Sequence, residues 1–500
     1  MPTTEPTPRA TLYRSAMLAV AMQWTLRFIG LVSVFILARL LAPEDFGIIG
    51  LAVAALALVE LLGAIGLRQA LLRIGEPTRE HLDTAWTLQL IIFGAMGIAT
   101  LVSAPFVARF YEQPALAPVL AVLSLRFFTL GLTNIGIIQF DRNLEFGRDL
   151  RMRIGSRLAA FAATVTAAFI LQNYWALVVG LVCQQAFFAA ASYLAHPFRP
   201  RLSLSRRAEL LGTSIWIFVN ALAQTVQMQI ERLVLGRFGS AHLVGLYSVS
   251  KDLSDIFTQE ISTALNRVTF VTVARTGQPL SDAPLRTAQI LGAYAMIAAP
   301  MGFGLAATAE NSIHVLLGSR WLDAAPFLQV VAVYSGFYAV YKVITSSLQA
   351  SGHARRAAFM SGGGALALTT LVTGGAFVRP DAMIIAYAAF AANFSILLAG
   401  IAVLARASAQ PGATLALHVL RPFAAGAAMA AAVRMLGPET GHVVFDLAGQ
   451  MGIGIIAYPA FLIGLWWASG RPAGGETEAL AFAGELRARM RSRRIAQENV

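Results

Sequence analysis

The chain has 500 residues, of which 57% are hydrophobic and 13% charged, and its mean hydropathy is +0.66. A soluble domain carries about twice that share of charge, so this composition excludes an ordinary soluble protein. A net charge of +12 would point to nucleic acid in a soluble chain, but here the arginines gather in alternate loops, where they act as orientation signals.

Apolar runs of roughly 20–30 residues divide nearly the whole length, the length a helix needs to cross the hydrocarbon. They predict an all-α polytopic membrane protein with fourteen helices, at 12–41, 46–67, 83–107, 115–138, 154–171, 175–195, 209–235, 243–272, 283–308, 325–350, 356–378, 381–404, 414–435 and 443–468. The opening MPTTEPTPRATLYR is polar and the run after it is too long for a signal peptide, so no cleaved leader is expected. Turn chemistry separates the runs, as at Ala42-Pro43-Glu44-Asp45, Gln113-Pro114, His196-Pro197 and Arg379-Pro380. One set of loops is rich in arginine, including Arg142, Arg148, Arg151, Arg153, Arg199, Arg201, Arg206 and Arg207, while the opposite set holds about one each. With fourteen helices both termini fall on the basic side and are expected in the cytoplasm.

One stretch returns. Leu37–Ile49, LARLLAPEDFGII, overlays Leu235–Tyr247, LGRFGSAHLVGLY, at a constant offset that sets Leu37 on Leu235, Arg39 on Arg237 and Gly47 on Gly245. The copies occupy the hairpins between helices 1 and 2 and between helices 7 and 8. Six helices separate them, so the halves share one orientation about an axis along the membrane normal. This predicts an N-lobe at 1–208 (helices 1–6), a C-lobe at 209–410 (helices 7–12), extra helices 13 and 14 at 411–470, and a basic tail at 471–500. Within that tail, 476–496 mixes Leu480, Leu486 and Met490 with five arginines, a pattern suited to a helix on anionic lipid.

Charges at bilayer depth are costly and face the protein interior or a wet cavity. Arg27 in helix 1 and Glu60 in helix 2 lie at similar distances from the Pro43 turn and are expected at similar depth, able to pair. Arg126 lies in helix 4 and Lys342 in helix 10. In helix 7, Asn220, Gln224, Gln227 and Glu231 step along one face; in helix 8, Ser248, Asp252, Asp255, Gln259 and Ser262 do the same, flanked by Lys251 and Glu260. Two polar stripes cannot both face lipid, so they line water or each other, and a hydrated cavity is the expectation. Gly362-Gly363-Gly364 lacks the Lys-Ser/Thr of a phosphate loop and is read as close helix packing. The seven histidines have no metal spacing, the lone Cys183 sits in an apolar run, and no Walker motif occurs. Neither cofactor nor metal is expected, and no catalytic residues.

The opening hairpin LARLLAPEDFGIIGLA with GLRQALLR, and ERLVLGRFGSAHLVGLYSVS in the second half, resemble the Wzx-type oligosaccharide-lipid flippases of the multidrug/oligosaccharidyl-lipid/polysaccharide exporter superfamily, over roughly residues 10–410. The resemblance implies two six-helix lobes around a central cavity lined by helices 1, 2, 7 and 8, open to one side at a time. It implies an undecaprenyl-pyrophosphate-linked oligosaccharide carried from the cytoplasmic to the periplasmic leaflet of the bacterial inner membrane, driven by an ion gradient, for exopolysaccharide, capsule or lipopolysaccharide O-antigen synthesis. Membrane lipids and other polysaccharide-assembly proteins are the implied partners. The basic and amide residues Arg27, Arg126, Asn220, Gln224, Gln227, Lys251 and Lys342 would then meet substrate. Glu60, Glu231, Asp252 and Asp255 are the candidates for ion coupling. Two other classes compete: a cation-coupled drug antiporter of the same superfamily, which would favour an acidic cavity, and a membrane polymerase or ligase, which would need a larger outer loop than this chain has.

Overall fold

The computed structural model describes residues 8–63, 67–74, 77–143, 145–210, 215–276, 284–350, 353–407, 411–472 and 475–477. They hold fourteen long helices, one for each apolar run: α1 Pro8–Leu40, α2 Pro43–Glu60, α3 Arg79–Phe110, α4 Leu116–Gly131, α5 Phe146–Leu171, α6 Trp175–Ala195, α7 Ile215–Phe238, α8 Ala241–Thr276, α9 Pro284–Ala307, α10 Ala325–Ala350, α11 Ala354–Val378, α12 Ala382–Ala407, α13 Gly412–Leu436 and α14 Val443–Ala468. No strand occurs among the described residues. The tail beyond Thr477 lies outside them, as do the side chains of Gln259, Glu260 and Ser262.

Among the described residues, nine of these helices are long and apolar enough to cross a membrane by length and composition, and α2 is not among them. For α2 the reason is plain: eighteen residues carry Glu44, Asp45 and Glu60.

Packing divides the chain into two units, residues 1–248 with 376–382, and residues 249–375 with 383–500. In the first, α5 packs on α6 and α1, α3 on α4, and α7 on α2. A small core at one end joins Leu71, Leu82, Ala85, Leu88, Ile135, Ile138 and Leu210. There the connection between α6 and α7 is strapped to the start of α3: Asp83 accepts from the Arg201 N–H, Thr87 Oγ1 from Ser203, and Thr84 Oγ1 from Arg206. His81 Nε2 lies 2.9 Å from Glu209 Oε2, and Arg206 bonds Glu80 and Glu209. In the second unit α9 packs on α13 and α10, and α13 on α14. Pro422 inside α13 has no N–H, which leaves the His418 carbonyl without its helical donor.

Two helices end earlier than their apolar runs. α2 stops at Glu60 and continues as a 3-10 turn over Leu61–Gly63, short of residue 67. α4 stops at Gly131, and Asn134 caps a second 3-10 turn, its Oδ1 accepting from Gly136 and its Nδ2 donating to the Phe198 carbonyl. The expectation of close packing at Gly362 and Gly363 is not met: both face open space. The tight glycine contacts lie at the hairpins instead.

Candidate functional site

Each duplicated hairpin is built by local chemistry. Pro43 starts α2, where its missing N–H costs nothing, and Glu44 and Asp45 follow in the first turn, where negative charge is favoured. Asp45 reaches back to accept from the Ala42 N–H at 2.9 Å, and its other oxygen accepts from Tyr174 at 2.8 Å.

The two copies then meet each other. Glu44 and His242 stand 198 residues apart in sequence, and Glu44 Oε1 lies 2.8 Å from His242 Nδ1. One turn further in, a Cβ on Gly47 would collide with the Ala241 carbonyl, and a Cβ on Gly245 with the Pro43 carbonyl. The next position repeats the relation, since a Cβ on Gly50 would lie 3.3 Å from Ser248 Cβ. All three pairs share the repeat offset. Residues that touch their own equivalents lie on a two-fold axis, so the pseudo-symmetry axis passes through this crossing of α2 and α8. Small residues at 47, 50, 245 and 248 allow the backbones that approach.

Below the crossing lie the charged groups of the first unit. Glu60 Oε1 is met by Arg126 Nη1 at 2.7 Å, an ion pair between α2 and α4 with both side chains about one-third exposed. The expected partner, Arg27, is exposed on α1. Equal distance from a turn sets depth but not direction: each residue rotates about 100° around its helix, and Glu60 points to the neighbour that α2 packs against. Arg27 lies instead within electrostatic reach of Arg157 on α5. Arg157 donates to Gln184 at 2.6 Å, and Gly30 on α1 leaves it room, since a Cβ there would stand 3.1 Å from Arg157 Nη2.

On α7, Asn220, Gln227 and Glu231 are buried, and Gln224 is half-buried. Arg232, which sequence reasoning passed over because it sits beside the stripe rather than on it, is also buried, and donates to Gln229 and to the Ser248 carbonyl.

In the second unit, Lys251 is 7% exposed; its ammonium lies 3.4 Å from the Tyr334 hydroxyl and 5.0 Å from the centre of that ring. Asp255 is half-buried and accepts from Ser335, while Lys342 lies over Tyr338 and within electrostatic reach of Asp255. Asp252 is exposed. The buried polar face of α8 is Ser250, Lys251, Ser254 and Thr258, next to the stripe read from sequence. The helix therefore has two polar faces, and the signal for the second was the short hydroxyl residues between the acids.

Fourteen helices, a hairpin duplicated about an internal axis and charges held between helices define a polytopic α-helical membrane protein. The solved structure of the lipid II flippase MurJ in an inward closed conformation matches with a TM-score of 0.71 at 14% identity, covering 91% of this chain and 100% of that one. A MATE-family multidrug transporter in an inward-facing conformation matches with a TM-score of 0.54, over 79% of this chain and 99% of that one. Residues 36–326 match the family described as polysaccharide biosynthesis protein, and the chain belongs to that family.

Its relatives include the succinoglycan biosynthesis transport protein ExoT of Rhizobium meliloti, 27% identical over 61% of this chain and 62% of that protein. The lipopolysaccharide biosynthesis protein WzxC of Escherichia coli is 22% identical over 64% of this chain and 66% of that protein. The teichuronic acid biosynthesis protein TuaB of Bacillus subtilis is 22% identical over 60% and 63%. The chain thus spans a little under two thirds of the length of these relatives.

Proposed function

We propose that this protein is a flippase that carries a polyprenyl-pyrophosphate-linked oligosaccharide across the bacterial inner membrane by alternating access, with both termini in the cytoplasm. The observation that carries the reading is the α2–α8 crossing on the repeat axis. A transporter of two related lobes must close one end at a time, and a contact between equivalent backbones on the axis is where such lobes meet. The lobes are 1–208 and 209–410, with 411–470 added. The crossing seals the end away from the termini.

The substrate class is supported by three relatives named for the biosynthesis of three different polysaccharides. The chemistry agrees. Arg27 and Arg157 bring two guanidinium groups within electrostatic reach, a setting that a pyrophosphate suits and a drug cation does not. Arg126, Arg232, Lys251 and Lys342 add positive charge, and Asn220, Gln224 and Gln227 offer amides to sugar hydroxyls. Glu60, Glu231, Asp252 and Asp255 are the carboxylates that an ion gradient would act on.

The test is a disulfide across the axis. A Cβ on residue 50 would stand 3.3 Å from Ser248 Cβ, close to the ~3.5–4.5 Å of a disulfide. With Cys183→Ser as background, Gly50→Cys with Ser248→Cys should cross-link on oxidation and stop export of polysaccharide, and reductant should restore it. Unimpaired export by the oxidised, cross-linked protein would refute a seal that must open.

A further inference from the structure

Away from the hairpins, the second unit holds a buried charged cluster that transport as proposed does not use. Arg421 on α13 is 4% exposed, and its Nη1 lies 2.6 Å from Oε1 of Glu476, itself 5% exposed. Glu476 lies among the helical residues 475–477, seated where Gly475 lets the chain run against α9: a Cβ there would stand 2.9 Å from the Ala293 nitrogen. His418, three residues before Arg421 and on the same face, is 2% exposed and in electrostatic reach of both charges. Tyr458 on α14 closes the cluster, but its hydroxyl is already given to the Met296 carbonyl.

The carboxylate is an incomplete fit for what surrounds it. Among the described residues, Arg421 Nε, Arg421 Nη2, His418 Nδ1 and Glu476 Oε2 are all buried without a hydrogen-bond partner. The Nε–Nη2 edge is the side of a guanidinium that takes two oxygens of one anion at once, and it stands unused. A carboxylate has two oxygens, one of which finds Nη1 while the other finds nothing. A tetrahedral phosphate has three or more, enough for the guanidinium edge and the imidazole together.

We infer that Arg421 and His418 form a phosphate-binding site, held in this structure by the carboxylate of Glu476 as an internal stand-in. Occupation by a phosphate would displace Glu476 and with it the segment that leads to the five arginines of the tail. Ala293 on α9 and Arg421 on α13 each lie nine residues inside the start of their helix, the end from which the C-terminal segment enters. Lipid headgroups at that end and free phosphate in solution are the two sources of this chemistry.

The experiment uses the purified full chain in detergent and two probes, phosphatidic acid and inorganic phosphate. Retention of phosphatidic acid is read by native mass spectrometry, and protection by either probe as a rise in unfolding temperature. Glu476→Gln removes the competing charge and should tighten retention roughly tenfold, the size of one charge-assisted contact. Adding Arg421→Gln removes the buried charge altogether, so that variant stays neutral and foldable, and it should lose the gain. Protection of Glu476→Gln by phosphatidic acid alone identifies a lipid headgroup; equal protection by inorganic phosphate identifies a soluble anion. If Glu476→Gln lowers the unfolding temperature and gains retention of neither probe, the pair is a strap for the C-terminal segment and the site does not exist.

Discussion

Gly47 and Gly245 hold equivalent places in the two hairpins and pack against each other, each so close that a side chain on one would strike the carbonyl four residues before the other. Replacing either by Ala should cost about 1–3 kcal/mol, as overpacked sites do, and should abolish export. Gly50→Ala should be milder, because its obstacle is the Ser248 hydroxyl, a group that can turn away. Thermal unfolding of the purified variants checks the order. A Gly50→Ala loss equal to that of Gly47→Ala would show that the contact is not governed by backbone approach.

Glu60 and Arg126 should couple in a double-mutant cycle with Gln at each position. Both are about one-third exposed, so screening limits the coupling to about 0.5–1 kcal/mol. Arg27→Gln with Glu60→Gln should be additive. Coupling between Arg27 and Glu60, with none between Arg126 and Glu60, would contradict the geometry.

Lys251→Met keeps the stem that packs against Tyr334 and removes the cation. Protein yield should stay near that of the parent while export falls at least tenfold, the size of one lost charge-assisted contact. Full export by Lys251→Met would confine the residue to packing.

The connection between α6 and α7 should loosen in mild acid. His196 Nδ1 accepts from the Phe198 N–H and its Nε2 lies 3.1 Å from Gln139 Oε1, so the neutral ring fits and a proton on Nδ1 would break the first bond. Burial, with Arg148 and Arg199 nearby, holds its pKa below the ordinary value of about 6.5, against the pull of Glu145. A lowered pKa in the folded state means that the stabilisation is whole above that ordinary value and is lost as pH falls through the folded one. Glu209 behaves in the same direction at lower pH, since bonds from His81 and then Arg206 hold its carboxyl below the usual range. Hydrogen exchange over 196–210, corrected for its intrinsic pH dependence, should show weaker protection at pH 5 than at pH 7. Equal protection would leave His196 without this role.

The sequence made the helices legible and left their directions open. Fourteen apolar runs became fourteen helices because length and hydropathy are one-dimensional properties. α2 and α4 ended early, because an apolar 3-10 turn reads like an apolar helix. The hairpin repeat was visible, but not that its copies touch, since an offset carries no distance. Glu60 is legible as a charge at bilayer depth but is matched to the wrong arginine, for depth is written in the sequence and azimuth is not. Arg157 and Arg232 were missed because attention to regular stripes passes over single charges beside them.

A residue on a two-fold axis faces its own copy. Had the two halves been separate identical chains, position 44 would have met another position 44, and a carboxylate there would have met a carboxylate. Joining the halves in one polypeptide lets the two places diverge, and here one holds Glu44 and the other His242, at 2.8 Å. An attraction across the axis is thus open only to a fused protein. The hairpin contact has a homodimer's seam with the unlike side chains of a heterodimer.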